Sequence, residues 1–245
     1  MSRVSTATRT LSRVEASENP PALSAVMQDY LKAICNAGEW DDTPVTTSVI
    51  ASRVGVSASS ASEMVRKLAL LGYLRHEPYG AVELTPPGRA IALRVVRRHR
   101  LVETFLVAEL GYTWDEVHDD ADILEHAISD RMLARMDAKL GFPRRDPHGD
   151  PIPGADGTME IPPAKQLSAL QPGDSGLVVR ISDDEPEMLR YFQEKKIVLD
   201  AHIEVLARLP FGAGTSMRIG GAGGDSLDLG DQAAEAIWLG TTQSR

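Results

Sequence analysis

The chain has 245 residues, 42% hydrophobic and 25% charged, an ordinary composition for a soluble globular protein of one large or two to three small domains. No apolar run approaches the roughly 20 residues that span a bilayer, which excludes a membrane-spanning helix. The single cysteine, Cys35, excludes an internal disulfide framework and fits a reducing cytoplasm; its place in an apolar-periodic stretch marks it as a buried structural thiol. The net charge of −9 is unevenly spread: residues 1–100 hold 13 Lys+Arg against 9 Asp+Glu, and the remainder 13 against 26. The front of the chain can meet phosphate, and the back repels it or holds cations.

Residues 1–22 are polar, have no apolar signal-peptide core and are expected to form a disordered tail. Leu23, Val26, Met27, Tyr30, Leu31 and Ile34 then recur at helical spacing. A short helix over Thr47 to Val54, a turn at Gly55-Val56 and a longer helix over Ser57 to Leu71 follow, with Gly72 closing the second. Tyr73 to Arg75 and Ala81 to Leu84 predict two short strands. Thr85-Pro86-Pro87-Gly88 opens a helix running to about Leu110, and one or two more lie between Trp114 and Leu140. From Pro143 to Pro163 the composition predicts an irregular linker. Beyond it, short strands at Gly176 to Ile181, His202 to Arg208, Ser216 to Ile219, Ser226 to Leu229 and Ala236 to Leu239, with one helix over Met188 to Lys195, predict a small SH3-like β-barrel.

Helix, tight turn, helix and β-hairpin make a winged helix-turn-helix, a DNA-binding arrangement. Ile50, Ala51 and Val54 are expected to pack its first helix, and Val56, Ala61, Val65, Leu68 and Leu71 its second. Small Ala51 and Gly55 are expected to let the two approach closely. Ser57, Ser59, Ser60, Ser62, Glu63 and Arg66 remain outward on the second helix. Short hydroxyls near a helix N-terminus suit phosphates and base edges in the major groove, and Arg66, Lys67 and Arg75 suit phosphates.

A second constellation lies downstream. His99 and Glu103 are one helical turn apart, and His118, Asp122, Glu125 and His126 fall within roughly 100° of one helical face. Imidazoles combined with carboxylates suit Mn²⁺, Fe²⁺ or Zn²⁺. A single helical stripe cannot enclose a cation, and Asp29 on the first helix is the natural further donor.

The motifs Asp29-Tyr30-Leu31, LTPPGR, RRHRLVE, H-x3-D-x2-E-H and DPHGDPIPG together resemble the diphtheria-toxin-repressor (DtxR/MntR) family of metalloregulators. The resemblance covers nearly the whole chain from about Leu23. It implies a mostly α fold with a β wing: a winged helix-turn-helix domain over 23–96, a helical metal-binding and dimerisation domain over 97–142, a linker over 143–163, and an SH3-like (FeoA-like) domain over 164–240. It implies a primary site of Asp29, Asp122, Glu125 and His126, and an ancillary site of His99, Glu103 and His118 with Asp183 from the barrel. In the iron-responsive branch the positions of Asp29 and Asp122 are Met and Cys. Hard carboxylates here favour Mn²⁺ over softer metals, with Fe²⁺ the alternative. Family members with a bridged metal pair carry an acid where this chain has Lys32, which favours two separate sites.

The expected protein is a non-enzymatic, cytoplasmic, metal-dependent repressor that binds palindromic double-stranded operator DNA as a homodimer, with no membrane or small organic substrate as partner. Metal held jointly by both domains would fix two recognition helices about 34 Å apart, the spacing of successive major grooves. Leu101, Phe105, Leu106, Leu110, Ile128, Met132, Leu133 and Met136 are candidates for the dimer seam, some of them being core. The principal rival is a metal-dependent hydrolase or oxidase using the same His/Asp/Glu cluster. No nucleophile-base pair stands near that cluster, and a catalytic metal needs an open position. A winged-helix sensor of a small organic ligand, and a barrel that docks peptides, are the remaining alternatives.

Overall fold

Ser24 opens the first helix, α1 (Ala25–Ala37), by accepting a hydrogen bond from the Met27 backbone N–H. Its apolar stripe of Met27, Tyr30, Leu31, Ile34 and Cys35 is buried. Burial pushes the Cys35 thiol up to about 11, so it is a packed side chain with little thiolate character. The computed structural model describes residues 23–40, 43–77, 80–221 and 223–241. The tail expected at 1–22, and Pro78 and Tyr79 of the wing, lie outside the described residues.

Thr46 and Ser57 cap the next two helices, α2 (Thr47–Val54) and α3 (Ala58–Leu70), by accepting from the backbone N–H groups of Val49 and Ser60. Gly55 between them has φ +69°, and a Cβ there would meet nothing within 4 Å. It therefore serves the left-handed cap, not the close helix approach that its small size suggested. Strands β1 (Leu74–His76) and β2 (Val82–Leu84) pair antiparallel, with Leu74 opposite Leu84. Ile50, Ala61, Val65, Leu68, Leu74 and Val82 close one core with α1.

Helix α4 (Pro86–Leu110) is the spine of the molecule. Thr85 accepts from the Gly88 N–H at its start, and Gly111 at φ +77° ends it. Its 25 residues extend about 37 Å. Ala92, Leu93 and Val96 belong to the winged-helix core. Val102 and Leu106, further along, join a second core with α5 (Val117–Ala127) and α6 (Asp130–Lys139). One rigid helix thus serves both domains. Of the residues expected at a dimer seam, Leu101, Leu106, Ile128 and Met136 are buried within the chain itself, Phe105 and Leu133 are half-buried, and Leu110 and Met132 are exposed.

The last third forms a six-stranded antiparallel sheet in the order β3-β8-β4-β5-β6-β7. Its strands are β3 (Ala164–Gln166), β4 (Ser175–Ile181), β5 (His202–Arg208), β6 (Thr215–Ile219), β7 (Asp225–Leu229) and β8 (Ile237–Thr241). Helices α7 (Pro186–Glu194) and α8 (Asp231–Glu235) lie among them, and Leu189 and Phe192 of α7 are buried in the core of this domain. Sequence patterning finds five of the six strands. It misses β3, an Ala-Lys-Gln segment without apolar alternation that is held by pairing with β8. No helix among the described residues is long and apolar enough to cross a membrane.

The Pro/Gly-rich stretch over 143–163 contains no helix or strand, only an isolated bridge between Arg145 and Pro151. It is nevertheless packed, with Asp146, His148, Asp150 and Ile152 buried. The Ile181 N–H donates to the His148 carbonyl at 2.9 Å, tying this turn to β4. Gly149 makes that approach possible: its φ is +96°, and a Cβ would stand 2.1 Å from the Val179 carbonyl oxygen. Gly149→Ala is expected to destabilise the protein by about 2–4 kcal/mol, since backbone strain and overlap add. Urea unfolding checks this; a midpoint equal to the parent's would mean that the turn yields freely.

Candidate metal centre and DNA-reading face

Three helices bring the His/Asp/Glu side chains together. α1 carries Asp29 and Lys32, α4 carries His99 and Glu103, and α5 carries His118, Asp122, Glu125 and His126. Asp29 Oδ1 lies 2.6 Å from His126 Nε2, and Glu125 Oε1 lies 3.2 Å from the same nitrogen. One donor atom from each of the three falls within 4.8 Å of the others. Asp122, expected with them, turns the other way: its Oδ1 is 3.2 Å from His99 Nδ1 and its Oδ2 is 3.7 Å from His118 Nε2. Asp183, just beyond β4, has Oδ2 at 3.7 Å from His118 Nδ1 and closes a group with Glu103 and His118.

His99 joins the two sides of this constellation. Its Nε2 is 2.9 Å from Glu103 Oε1 and its Nδ1 is 2.7 Å from Glu125 Oε2. Burial would lower the affinity of this ring for a proton, but the Glu103 charge and hydrogen bonds to Asp122, Glu103 and Glu125 hold it well above the usual histidine range. Burial alone would raise Glu103; His99, together with hydrogen bonds from His118 and His99, holds it well below the usual carboxylate range. The Lys32 ammonium donates to Asp122 Oδ1 at 2.7 Å and to both Glu125 oxygens at 2.9 Å. Lys32, expected only to disfavour a bridged metal pair, is a fixed cation against two candidate ligands.

Two further residues, Asp146 and His148, escaped the sequence reading. With Glu103 they form a fully buried trio whose donor atoms lie within 4.8 Å of one another. His148 Nε2 donates to the Trp114 carbonyl at 2.7 Å, and its Nδ1 is buried with no partner. In the neutral ring the lone pair is therefore on the unpartnered nitrogen, as a metal ligand requires. Asp146 Oδ1 accepts from the His148 and Asp150 N–H groups, both at 2.9 Å, which holds the turn rigid. The available signal is an acid and a histidine two residues apart in DPHGDPIPG, within a stretch whose Pro/Gly composition predicts only an irregular linker. Buried carboxylates beside an orphaned imidazole nitrogen fit a divalent cation of the Mn²⁺, Fe²⁺ or Zn²⁺ kind.

Burial, then the charges of Asp150 and Glu103, raise the Asp146 carboxyl to about 8. Such a group contributes stability that is fully present below its ordinary acidic range and is lost as pH rises through about 8. A cation at this trio must displace the Asp146 proton, so Mn²⁺ affinity is expected to strengthen between pH 6 and about 8 and then level off. Isothermal titration in buffers of different ionisation heats checks this. Proton release that is absent at pH 6.5 would contradict it.

The α3 cap Ser57 and, on α3, Ser59, Ser60, Glu63, Arg66 and Lys67 are exposed and Ser62 is half-buried; Arg75 on β1 is also exposed. Ser57 Oγ lies 2.9 Å from the hydroxyls of Ser59 and Ser60. The helix therefore presents a low hydroxyl edge at its start and cations at its end, a surface without bulk to keep it out of a major groove.

Comparison with known proteins finds matches to all three parts of the chain. Residues 22–82 match the iron dependent repressor N-terminal DNA binding domain, residues 85–154 the iron dependent repressor metal binding and dimerisation domain, and residues 165–239 the FeoA domain. The iron-dependent repressor IdeR of Mycobacterium bovis is 38% identical over 125 residues, 51% of this chain and 54% of the relative, so the match spans about half the length of such relatives. The diphtheria toxin repressor of Corynebacterium jeikeium is 34% identical over 161 residues, 64% of this chain and 67% of the relative. A solved manganese-dependent transcriptional repressor in complex with manganese is 59% identical, covering 88% of this chain and 100% of its own, with a TM-score of 0.84.

Proposed function

Because the chain belongs to the iron-dependent (diphtheria-toxin) repressor family, we propose that it is a repressor that binds operator DNA as a homodimer when loaded with Mn²⁺. The observation that carries this reading is the 2.6 Å approach of Asp29, on the DNA-binding side, to His126 on α5. Asp29 from the DNA-binding side, with Glu125 and His126 from α5, makes a grip shared between the two domains. A bound divalent cation supplies the positive charge that lets these carboxylates converge.

Asp29 then anchors α1 to α5, and with it the orientation of α3. Glu125, fully buried, stays fixed by His99 and Lys32. Glu103, Asp146 and His148, with His118 of α5 and Asp183 of the sheet domain, form the second site and hold the Pro/Gly turn and the sheet to α4. Asp122 serves the first site or bridges toward His99 and His118. The carboxylate-rich donor set, without sulfur, supports Mn²⁺ over softer metals, and the manganese complex of the 59% identical relative supports Mn²⁺ too. Ser57, Ser59, Ser60, Ser62 and Glu63 face base edges and phosphates, while Arg66, Lys67 and Arg75 contact phosphate.

The test is a duplex selected by the protein from a random pool in Mn²⁺, then titrated with Mn²⁺, Fe²⁺ or Zn²⁺. Mn²⁺ is expected to tighten binding about 5–150-fold over chelated protein, the usual range of such coupling. Equal affinity in chelator contradicts the proposal.

A further inference from the structure

Parts distant in sequence meet at Arg180, outside every candidate ligand group. Trp40 stands just beyond α1, Asp150 closes the turn that carries Asp146 and His148, and Arg180 and Trp238 face each other on β4 and β8. The guanidinium carbon of Arg180 lies 4.2 Å from the Trp238 ring centroid and 5.3 Å from that of Trp40. Its Nε donates to Asp150 Oδ1 at 2.7 Å, and the Trp40 indole N–H donates to the same oxygen at 2.6 Å. One planar cation thus binds the residue just past the DNA-domain helix, the turn that carries Asp146 and His148, and the sheet domain. A guanidinium can stack on indoles and fork to a carboxylate at once; an ammonium cannot.

A second arginine runs beside it. Arg100 donates to both oxygens of Glu39, the neighbour of Trp40, at 2.9 and 2.6 Å. It also donates to the Pro151 carbonyl at 2.7 Å, and its Nε is 3.6 Å from Asp146 Oδ2. Asp146 in turn accepts from the Asp150 N–H. Displacement of Asp146 therefore moves the groups that hold Glu39 and Trp40. A helix attached at one point can pivot, whereas attachment at both ends fixes its direction. α1 is attached near its start through Asp29 and just past its end through Trp40.

We propose that Arg180 is a positioning residue that couples the Glu103–Asp146–His148 site to the DNA-binding domain by clamping Trp40 between the turn and the sheet. This rests on the metal-activated repressor reading and adds a route of control that does not pass through Asp29. The sheet domain is then part of the regulatory linkage and more than an appended donor of Asp183.

The test uses the full chain with Arg180→Met, which keeps the packed stem, Arg180→Lys, which keeps the charge, and Trp40→Phe, which loses only the indole N–H and some ring area. Mn²⁺ stoichiometry is measured by equilibrium dialysis, and affinity for the selected duplex with Mn²⁺ and with chelator. Stoichiometry is expected to equal the parent's in all three. The ratio of metal-loaded to metal-free DNA affinity is expected to fall about tenfold in Arg180→Met, within the usual range of coupling. It is expected to fall less in Trp40→Phe. Arg180→Lys is expected to restore the parent's unfolding midpoint but not its ratio. If all variants keep the parent's ratio, or lose both affinities in parallel, Arg180 is structural support only and the proposal is overturned. Loss of bound Mn²⁺ in the variants overturns it too, by making Arg180 a support of the site. A parent that shows no Mn²⁺ enhancement at all overturns the repressor reading, and this one with it.

Discussion

Asp29→Ala is expected to remove most of the Mn²⁺-dependent gain in operator affinity, about 5–150-fold, while leaving metal-free binding unchanged. The side chain lies on the face of α1 that meets α5 and makes one close polar contact there, at 2.6 Å to His126. Its removal creates no large cavity, so the folded state should persist with a normal unfolding midpoint. What is lost is the donor that makes the site belong to two domains. Glu125 and His126 alone bind a cation more weakly, and any cation they do hold has no purchase on α1. A ligand that binds both orientations equally shifts no population between them. The Glu103–Asp146–His148 site should fill as before, so dialysis should still show bound Mn²⁺. Gel-shift titrations in Mn²⁺ and in chelator measure the gain; a variant activated as strongly as the parent would remove Asp29 from the mechanism.

Glu103→Gln is expected to have the second large effect, because this one carboxylate serves two of the candidate groups and pairs with His99. An amide presents a poorer donor oxygen to a cation and carries no charge to offset it. One equivalent of Mn²⁺ per chain should be lost. In the metal-free protein, the His99 ring loses the charge that most strongly raises its proton affinity. NMR titration of the imidazole should then show its midpoint moving downward, against the parent. An unchanged midpoint would mean that Glu125 and Asp122 suffice to hold the proton. Stability contributed by a raised histidine is present below its ordinary range and is lost as pH rises through the folded-state value. Glu103 is itself held low, and its contribution is lost as pH falls through its folded-state value, so the parent's advantage over Glu103→Gln should be largest between the two values and fade at both extremes.

Much of the fold was legible because strong local signals coincide with real boundaries. Thr85-Pro86 and Gly111 bracket α4 through capping chemistry that depends on a few adjacent residues. The outward serines of α3 follow from helical period alone. What periodicity cannot supply is partners. Asp146 and His148 sit in an irregular turn, where no period marks a buried face, and their meeting with Glu103 is set by tertiary packing. Leu101 and Ile128 looked equally fit for a dimer seam or a core; the structure places both inside the chain. Asp122 lies on the expected helical face but turns toward His99, a choice between neighbours on one stripe that spacing cannot make. Lys32 is the sharpest case: its identity was plain in the sequence, but not that its ammonium would rest between Asp122 and Glu125.

The most direct measurement is anomalous diffraction at the manganese edge from crystals of the Mn²⁺-loaded protein. A peak is expected within bonding distance of Asp29, Glu125 and His126 together, so that a single ion ties α1 to α5. A peak ligated by α5 residues alone, with Asp29 turned to solvent, would contradict the shared grip and the control of DNA binding built on it.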